Sequence, residues 1–125
     1  MKAVLDASAL LAWLQNEPGA AIVEELLPES AISSLNWSEV LQKSLAHGVE
    51  ITGLRQDMEA LGLVILPFDR GAAEQAARLW SAGSSLSLAD RACLALGIQH
   101  GAPVLTADRL WTQVSVGATV RLVRT

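Results

Sequence analysis

The sequence predicts an α/β fold, a mostly parallel central sheet of four to five short strands with helices on both faces. Three observations predict it. Apolar runs of strand length alternate along the chain with longer segments of helical period. The run Leu63-Val64-Ile65-Leu66-Pro67 is apolar throughout, the pattern of a strand covered on both faces. The length of 125 residues, with 51% hydrophobic and 18% charged, fits one packed domain spanning residues 1–125 and excludes a disordered chain.

Residues 2–6, KAVLD, read as a short buried strand, and Ser8 is placed to cap an apolar helix through Leu10, Leu11, Trp13 and Leu14. Pro18-Gly19 breaks that helix. A second helix runs through Ile22, Val23, Leu26 and Leu27 until Pro28 ends it, ahead of a strand near Ala31-Ile32-Ser33. From Ser34 or Asn36 a third helix continues through Val40, Leu41 and Leu45 to Gly48, its C-terminal stop, and another covers residues 51–61. After the strand at 63–67, Asp69 caps a helix through Ala72, Ala76, Leu79 and Trp80, which stops at Gly83-Ser84-Ser85. Ser87 opens a helix that ends at Gly101. Residues 102–105 give the next strand, Asp108 starts a short helical turn, and residues 120–123 make the last strand.

Cys93 is the only cysteine, which excludes an intramolecular disulfide and a cysteine-built zinc site and suits core packing. No apolar run reaches the roughly 18 residues of a membrane span, and the acid-interrupted start MKAVLDASALLAWL does not read as a secretory leader. The expected location is the cytoplasm. Thirteen acids against nine Lys and Arg give a net charge of −4, at first sight poor for a nucleic-acid partner. Without Asp6, Glu39, Asp90 and Asp108 the balance is nine acids against nine bases. The excess therefore equals the charge of four residues that bound cations would offset.

Winding rules bring those four together. In right-handed parallel units each helix that follows a strand begins at the sheet's carboxyl edge, where open α/β sheets bind ligands. Asp6 ends the first strand, Glu39 lies early in the helix after the second, and Asp108 follows Leu105 by three residues. Asp90 lies early in a helix that runs antiparallel to the strand it feeds, so it starts at the same edge. Close carboxylates repel one another, and divalent metal relieves the repulsion. An all-carboxylate set suits Mg²⁺ or Mn²⁺ rather than zinc. His47 and His100, each near a helix end followed by Gly, read as C-terminal helix residues.

Each acid also has a structural use. Ser87-Leu88-Ala89-Asp90 and Asn36-Trp37-Ser38-Glu39 both match the capping-box spacing, and Asp108 suits an N-cap. Capping, however, predicts no convergence of the four on one edge.

The segments VLDASALLAWL at 4–14, NWSEVLQK at 36–43, LSLADRACLALG at 86–97 and VLTADRLW at 104–111 resemble the PIN-domain family, particularly the VapC toxins of bacterial and archaeal toxin–antitoxin pairs. The resemblance covers essentially the whole chain. It implies a three-layer PIN-like fold and a metal-dependent endoribonuclease, the toxin of a VapBC-type pair that cleaves RNA and is neutralised by a small VapB-like antitoxin. It also implies a homodimer or higher homo-oligomer. In this resemblance Asp6, Glu39, Asp90 and Asp108 are the catalytic acids that bind Mg²⁺ or Mn²⁺ directly or through water. Ser8 and Thr106 match the hydroxyl residues that orient a carboxylate or a water beside them, with helix cap and strand end as their alternatives. The ion, one or two in number, lowers the pKa of a water and stabilises charge on the scissile phosphate.

Arg91 and Arg109 directly follow two of the acids and suit either substrate phosphate or a salt bridge that tempers the cluster. Lys43 is placed for an i,i+4 pair with Glu39. Trp13, Trp37, Trp80 and Trp111 read as core or interface residues rather than base-stacking platforms, although an exposed Trp13 or Leu14 would suit an antitoxin groove. Two alternatives stand beside the nuclease: a catalytically silent PIN-like module that only binds partners, and a receiver-like Mg²⁺-binding signalling domain. The receiver comparison lacks its paired acids after strand one and its late lysine, since no Lys follows Lys43.

Overall fold

The computed structural model of the chain describes residues 1–113 and 116–124. Its elements run β1 (Ala3–Leu5), α1 (Ala7–Leu14), α2 (Ala20–Leu26), β2 (Ser30–Ser33), α3 (Ser34–Ala46), α4 (Leu54–Ala60), β3 (Val64–Leu66), α5 (Arg70–Arg78), α6 (Leu88–His100), β4 (Val104–Thr106), a 3-10 turn (Arg109–Gln113) and β5 (Val120–Leu122). The strands form one sheet in the order β3-β2-β1-β4-β5, and every neighbouring pair is parallel. This is the predicted α/β architecture.

The chain winds outward from β1 to β3 and then returns to lay β4 on the other side of β1. The direction of winding therefore reverses between β1 and β4, which opens a crevice at their carboxyl ends. In a receiver-type sheet β1 lies between β2 and β3; here it lies between β2 and β4, and the receiver alternative falls.

Alternation along the central strands sets the two cores. Ala3, Leu5, Ile32 and Leu105 face a cluster built with Leu10 and Leu11 of α1, Val23 of α2, Val40 of α3 and Met58 of α4. Val4 and Val104 face the other way, onto Cys93, Leu94 and Leu96 of α6 and the buried Trp111. Gly97 lets α6 sit close to β4, because a Cβ there would collide with the Val104 side chain. Among the described residues no helix is long and apolar enough to cross a membrane.

Four expectations need correction. The run at 63–67 is not covered on both faces: β3 is the edge strand, with β2 as its one neighbour, and Val64 is 49% exposed. Continuous apolarity along the run does not ensure that helices cover both faces of the strand, and Val64, Ile65 and Leu66 are exposed or only half-buried. Ser8 does not cap α1; Asp6 occupies the N-cap position with extended backbone, its carbonyl accepting from the amides of Ala9 and Leu10. The cap of α3 is Ser33, whose hydroxyl accepts from the Leu35 amide, so Asn36 lies inside the helix. Trp80 falls beyond the end of α5 and is 65% exposed, whereas Trp37 and Trp111 are buried and Trp13 and Leu14 are half-buried against the first core.

Candidate metal centre

The β1–β4 register pairs Val4 with Val104 and Leu5 with Leu105, so Asp6 and Thr106 follow side by side at the carboxyl edge. Alternation turns both toward α6. Asp6 is 6% exposed, and two hydroxyls close on its Oδ2: Ser8 donates at 2.6 Å and Thr106 at 2.9 Å. Each hydroxyl also accepts a backbone amide of the following loop, Ala107 N–H to Ser8 at 2.9 Å and Asp108 N–H to Thr106 at 3.0 Å. The loop after β4 and the carboxylate after β1 are thus fastened through the same two oxygens. Among the described residues no side chain donates to Asp6 Oδ1, and the Ala7 amide is the backbone donor that acts on this carboxylate.

Glu39 is half-buried in α3, the first turns of which lie over the same edge. The Asn36 amide donates to Glu39 Oε1 at 3.3 Å and to the Ala89 carbonyl in α6 at 3.1 Å, so it ties Glu39 to the turn that carries Asp90. Asn36 is fully buried, and its Oδ1 has no hydrogen-bond partner. Asp90 completes the capping box of α6: its carboxylate accepts from the Ser87 amide at 2.9 Å while the Ser87 hydroxyl accepts from the Asp90 amide at 3.1 Å.

Electrostatics link these three acids. Burial pushes Asp6 above its ordinary value, the Ser8 and Thr106 hydroxyls pull it back, and Asp90 pushes it further up. Burial also raises Glu39, followed by the charge of Asp6 and, less strongly, that of Asp90; Asn36 and Lys43 act in the opposite direction. Cys93, one turn beyond Asp90 and buried beneath the cluster, is raised well above its ordinary value by burial and then by Asp6, Asp90 and Glu39. Three carboxylates therefore act on one small region.

Asp108 sits apart. Its amide is bonded to Thr106 and its Oδ1 accepts from the Leu110 amide at 2.9 Å, which caps the 3-10 turn, and it is not among the charges that act on Asp6 or Glu39. Among the described residues no three His, Cys, Asp or Glu side chains are gathered tightly enough to enclose one ion as they stand. The chemistry of the set nevertheless fits a hard divalent cation: oxygen donors from a buried Asp6 and a half-buried Glu39, both raised above their ordinary values, and a buried, unpartnered amide oxygen on Asn36.

The two arginines take different places. Arg91 is one residue round the helix from Asp90, and its guanidinium donates to the Ala76 carbonyl of α5 at 3.0 Å, with Nε buried and unpartnered. Arg109 is exposed on the 3-10 turn. Neither is among the charges acting on Asp6 or Glu39, so the predicted tempering of the cluster by these residues is not realised in this arrangement. No ion pair joins Lys43 to Glu39 among the described residues. His47, at the C-terminal cap of α3, bonds the Lys43 carbonyl through Nδ1 at 2.8 Å, and His100 ends α6.

Sequence reasoning missed Asn36 as a site residue. Its i,i+3 spacing to Glu39 reads as a cap, and the signal that separates a cap from a buried bridge is the start of the helix two residues earlier.

No curated protein sequence matches the chain. Solved structures share its fold. A toxin-antitoxin complex from Klebsiella pneumoniae contains a chain with 20% identity and a TM-score of 0.73, over 94% of this chain and 99% of that one. DNA-bound VapBC from Salmonella typhimurium gives 15% identity and 0.71, over 98% of each chain. FitAcB from Neisseria gonorrhoeae gives 22% and 0.66, over 94% and 95%. The model of the PIN domain matches residues 3–116, a stretch that includes β1, β4, the crevice between them and all four acids. The chain belongs to the PIN domain family.

Proposed function

We propose that this chain is a metal-dependent endoribonuclease of the VapC type. The observation that carries the proposal is geometric: Asp6 ends β1 at the switch point beside β4, bonded to Thr106, while Asn36 joins Glu39 to the turn that carries Asp90. Asp6, Glu39, Asp90 and Asp108 would hold Mg²⁺ or Mn²⁺, directly or through water, and Ser8 and Thr106 would keep Asp6 turned toward it. When bound, such an ion lowers the pKa of a water and takes up charge on the phosphate oxygens. The protein's own part is orientation. Two hydroxyls fix Asp6, Asn36 holds Glu39, and the capping box holds Asp90.

The partners of the structural neighbours extend the proposal. Those proteins form toxin–antitoxin complexes, and on this basis the chain is the toxin of such a pair, a single cytoplasmic domain that assembles as a homodimer and is neutralised by a VapB-like antitoxin. Purified protein should cleave single-stranded RNA in Mg²⁺ or Mn²⁺ and stop in EDTA, and Asp6→Asn or Asp90→Asn should nearly abolish cleavage while leaving the fold intact. Full activity in EDTA, or in either variant, would overturn the mechanism. A protein that binds antitoxin tightly yet cleaves no RNA would instead be the silent module.

A further inference from the structure

Beside the carboxylates, between Ser8 and Leu11 of α1 and Lys43 of α3, lies a groove of about 210 Å³. The geometry points to this groove as a second site, one that seats a backbone phosphate of single-stranded RNA next to the scissile one. The assignment rests on the nuclease proposal for the adjoining acids.

Ser8 belongs to both places. Its hydroxyl holds Asp6, and its outer side lines the groove, so the groove opens directly onto the carboxyl edge. Lys43, His47 and Gln15 form walls, and Arg124 and Glu17 close one end. Glu17 is the acid of the lining, and it is held by Arg124 at 3.4 Å, so that among the described residues Lys43 is the lining cation without a carboxylate partner. The His47 ring is fixed by its bond to the Lys43 carbonyl, with Nε2 as its remaining polar atom.

Charge makes the site necessary. An RNA strand that approaches the carboxyl edge meets Asp6, Glu39 and Asp90 on a chain of net charge −4. Phosphate contacts position a strand and supply most of its affinity. Several other cations are already engaged: Lys2 with Glu29, Arg55 with Glu59, Arg91 with the Ala76 carbonyl. Lys43 is exposed, and its charge reaches Glu39, so it spans the space between the groove and the acids. An amphipathic peptide is a poorer occupant, because such peptides seat apolar side chains and the lining offers Leu11 alone.

The test measures binding, not cleavage. Asp6→Asn protein is the parent, and its affinity for a short single-stranded RNA of mixed sequence is followed by fluorescence anisotropy at constant Mg²⁺ over a range of salt. Adding Lys43→Glu should weaken binding by about tenfold or more and flatten the salt dependence by roughly 0.7 in log–log slope for the lost contact. Lys43→Arg should bind as the parent does. Lys2→Glu makes the same change of net charge before the amino end of β1 and should alter affinity less than about twofold. Equal losses in Lys43→Glu and Lys2→Glu, or none in Lys43→Glu, would overturn the groove while leaving the nuclease proposal intact. So would a Lys43→Glu protein that keeps RNA but loses an acidic antitoxin peptide. A parent that binds no RNA at all overturns both.

Discussion

Asp6 and Thr106, 100 residues apart in sequence, share a 2.9 Å hydrogen bond at the ends of adjacent strands. The threonine hydroxyl donates to the carboxylate and accepts from the Asp108 amide, so it relays position from one acid-bearing segment to the next. Thr106→Val keeps the shape and removes both bonds. We expect cleavage to fall about 10- to 100-fold, the usual effect of losing a group that orients a ligand, and Thr106→Ser to restore most of it. Steady-state rates at saturating Mn²⁺ are the measurement, and an unimpaired Thr106→Val would remove the hydroxyl from the site.

The bridge made by Asn36 carries a stability cost if broken. Asn36→Ala leaves the Ala89 carbonyl and Glu39 without their donor in a buried place, and should destabilise the protein by about 1–3 kcal/mol in urea unfolding. The concentration of Mn²⁺ needed for half-maximal cleavage should rise in the same variant, because Glu39 loses its anchor. A change in stability with no change in metal requirement would limit Asn36 to a packing role.

On the proposed mechanism Asp90 would add a role in cleavage to its place in the capping box, and substitution can separate the two. Asparagine still accepts from the Ser87 amide, so Asp90→Asn should unfold within about 0.5 kcal/mol of wild type while cleavage is lost. Asp90→Ala should lose the same activity and also about 1 kcal/mol of stability, through the broken capping box. Equal stability of the two variants would show that the cap contributes nothing.

Stability without metal should depend on pH in a definite direction. Asp6 and Glu39 are raised in the folded protein above ordinary values of 3.8 and 4.5, so over that window the folded state binds more protons than the unfolded one. Their contribution is present below the ordinary values and is lost as pH rises through the raised ones. In EDTA, Asp6→Asn should therefore melt higher than wild type at neutral pH, and the difference should shrink toward acid. Mn²⁺ should raise the wild-type Tm more than that of the variant. Parallel pH curves for the two proteins would refute the raised carboxyl of Asp6, which burial causes first and the charge of Asp90 adds to.

Two glycine-to-alanine changes should have opposite signs. At Gly97 the new methyl meets the Val104 side chain and must push α6 from β4, a cost of about 1–3 kcal/mol. At Gly71, in the first turn of α5, it makes ordinary contact with Asp69, and the gain in helix propensity should stabilise by up to about 1 kcal/mol. Thermal melts of the two variants decide it.

What the sequence made legible was local or followed from winding. Ser87 with Asp90, and Asp69 with the Ala72 amide, are caps whose partners lie three residues away, and both are present. The order of strands and helices sufficed to predict one edge for the acids, because crossover handedness needs no knowledge of side chains. What failed depends on contacts far apart in the chain. Ser8 reads as a cap until β4 arrives to give it Thr106 and Ala107 as neighbours. Arg91 reads as a neighbour of Asp90 until α5 presents the Ala76 carbonyl. The edge position of β3 is a property of the whole sheet, and no pattern within Val64–Leu66 records it.

The return of the chain to place β4 against β1 also sets a clock. A ribosome extends the polypeptide at roughly 5–20 residues per second, so about 5–20 s separate the emergence of Asp6 from that of Thr106. Throughout that interval the first carboxylate has one of its two hydroxyl donors and no Asp108. Activity that depends on this crevice is therefore withheld from any chain that has not yet reached β4, and premature termination anywhere before that strand yields a product with no assembled centre.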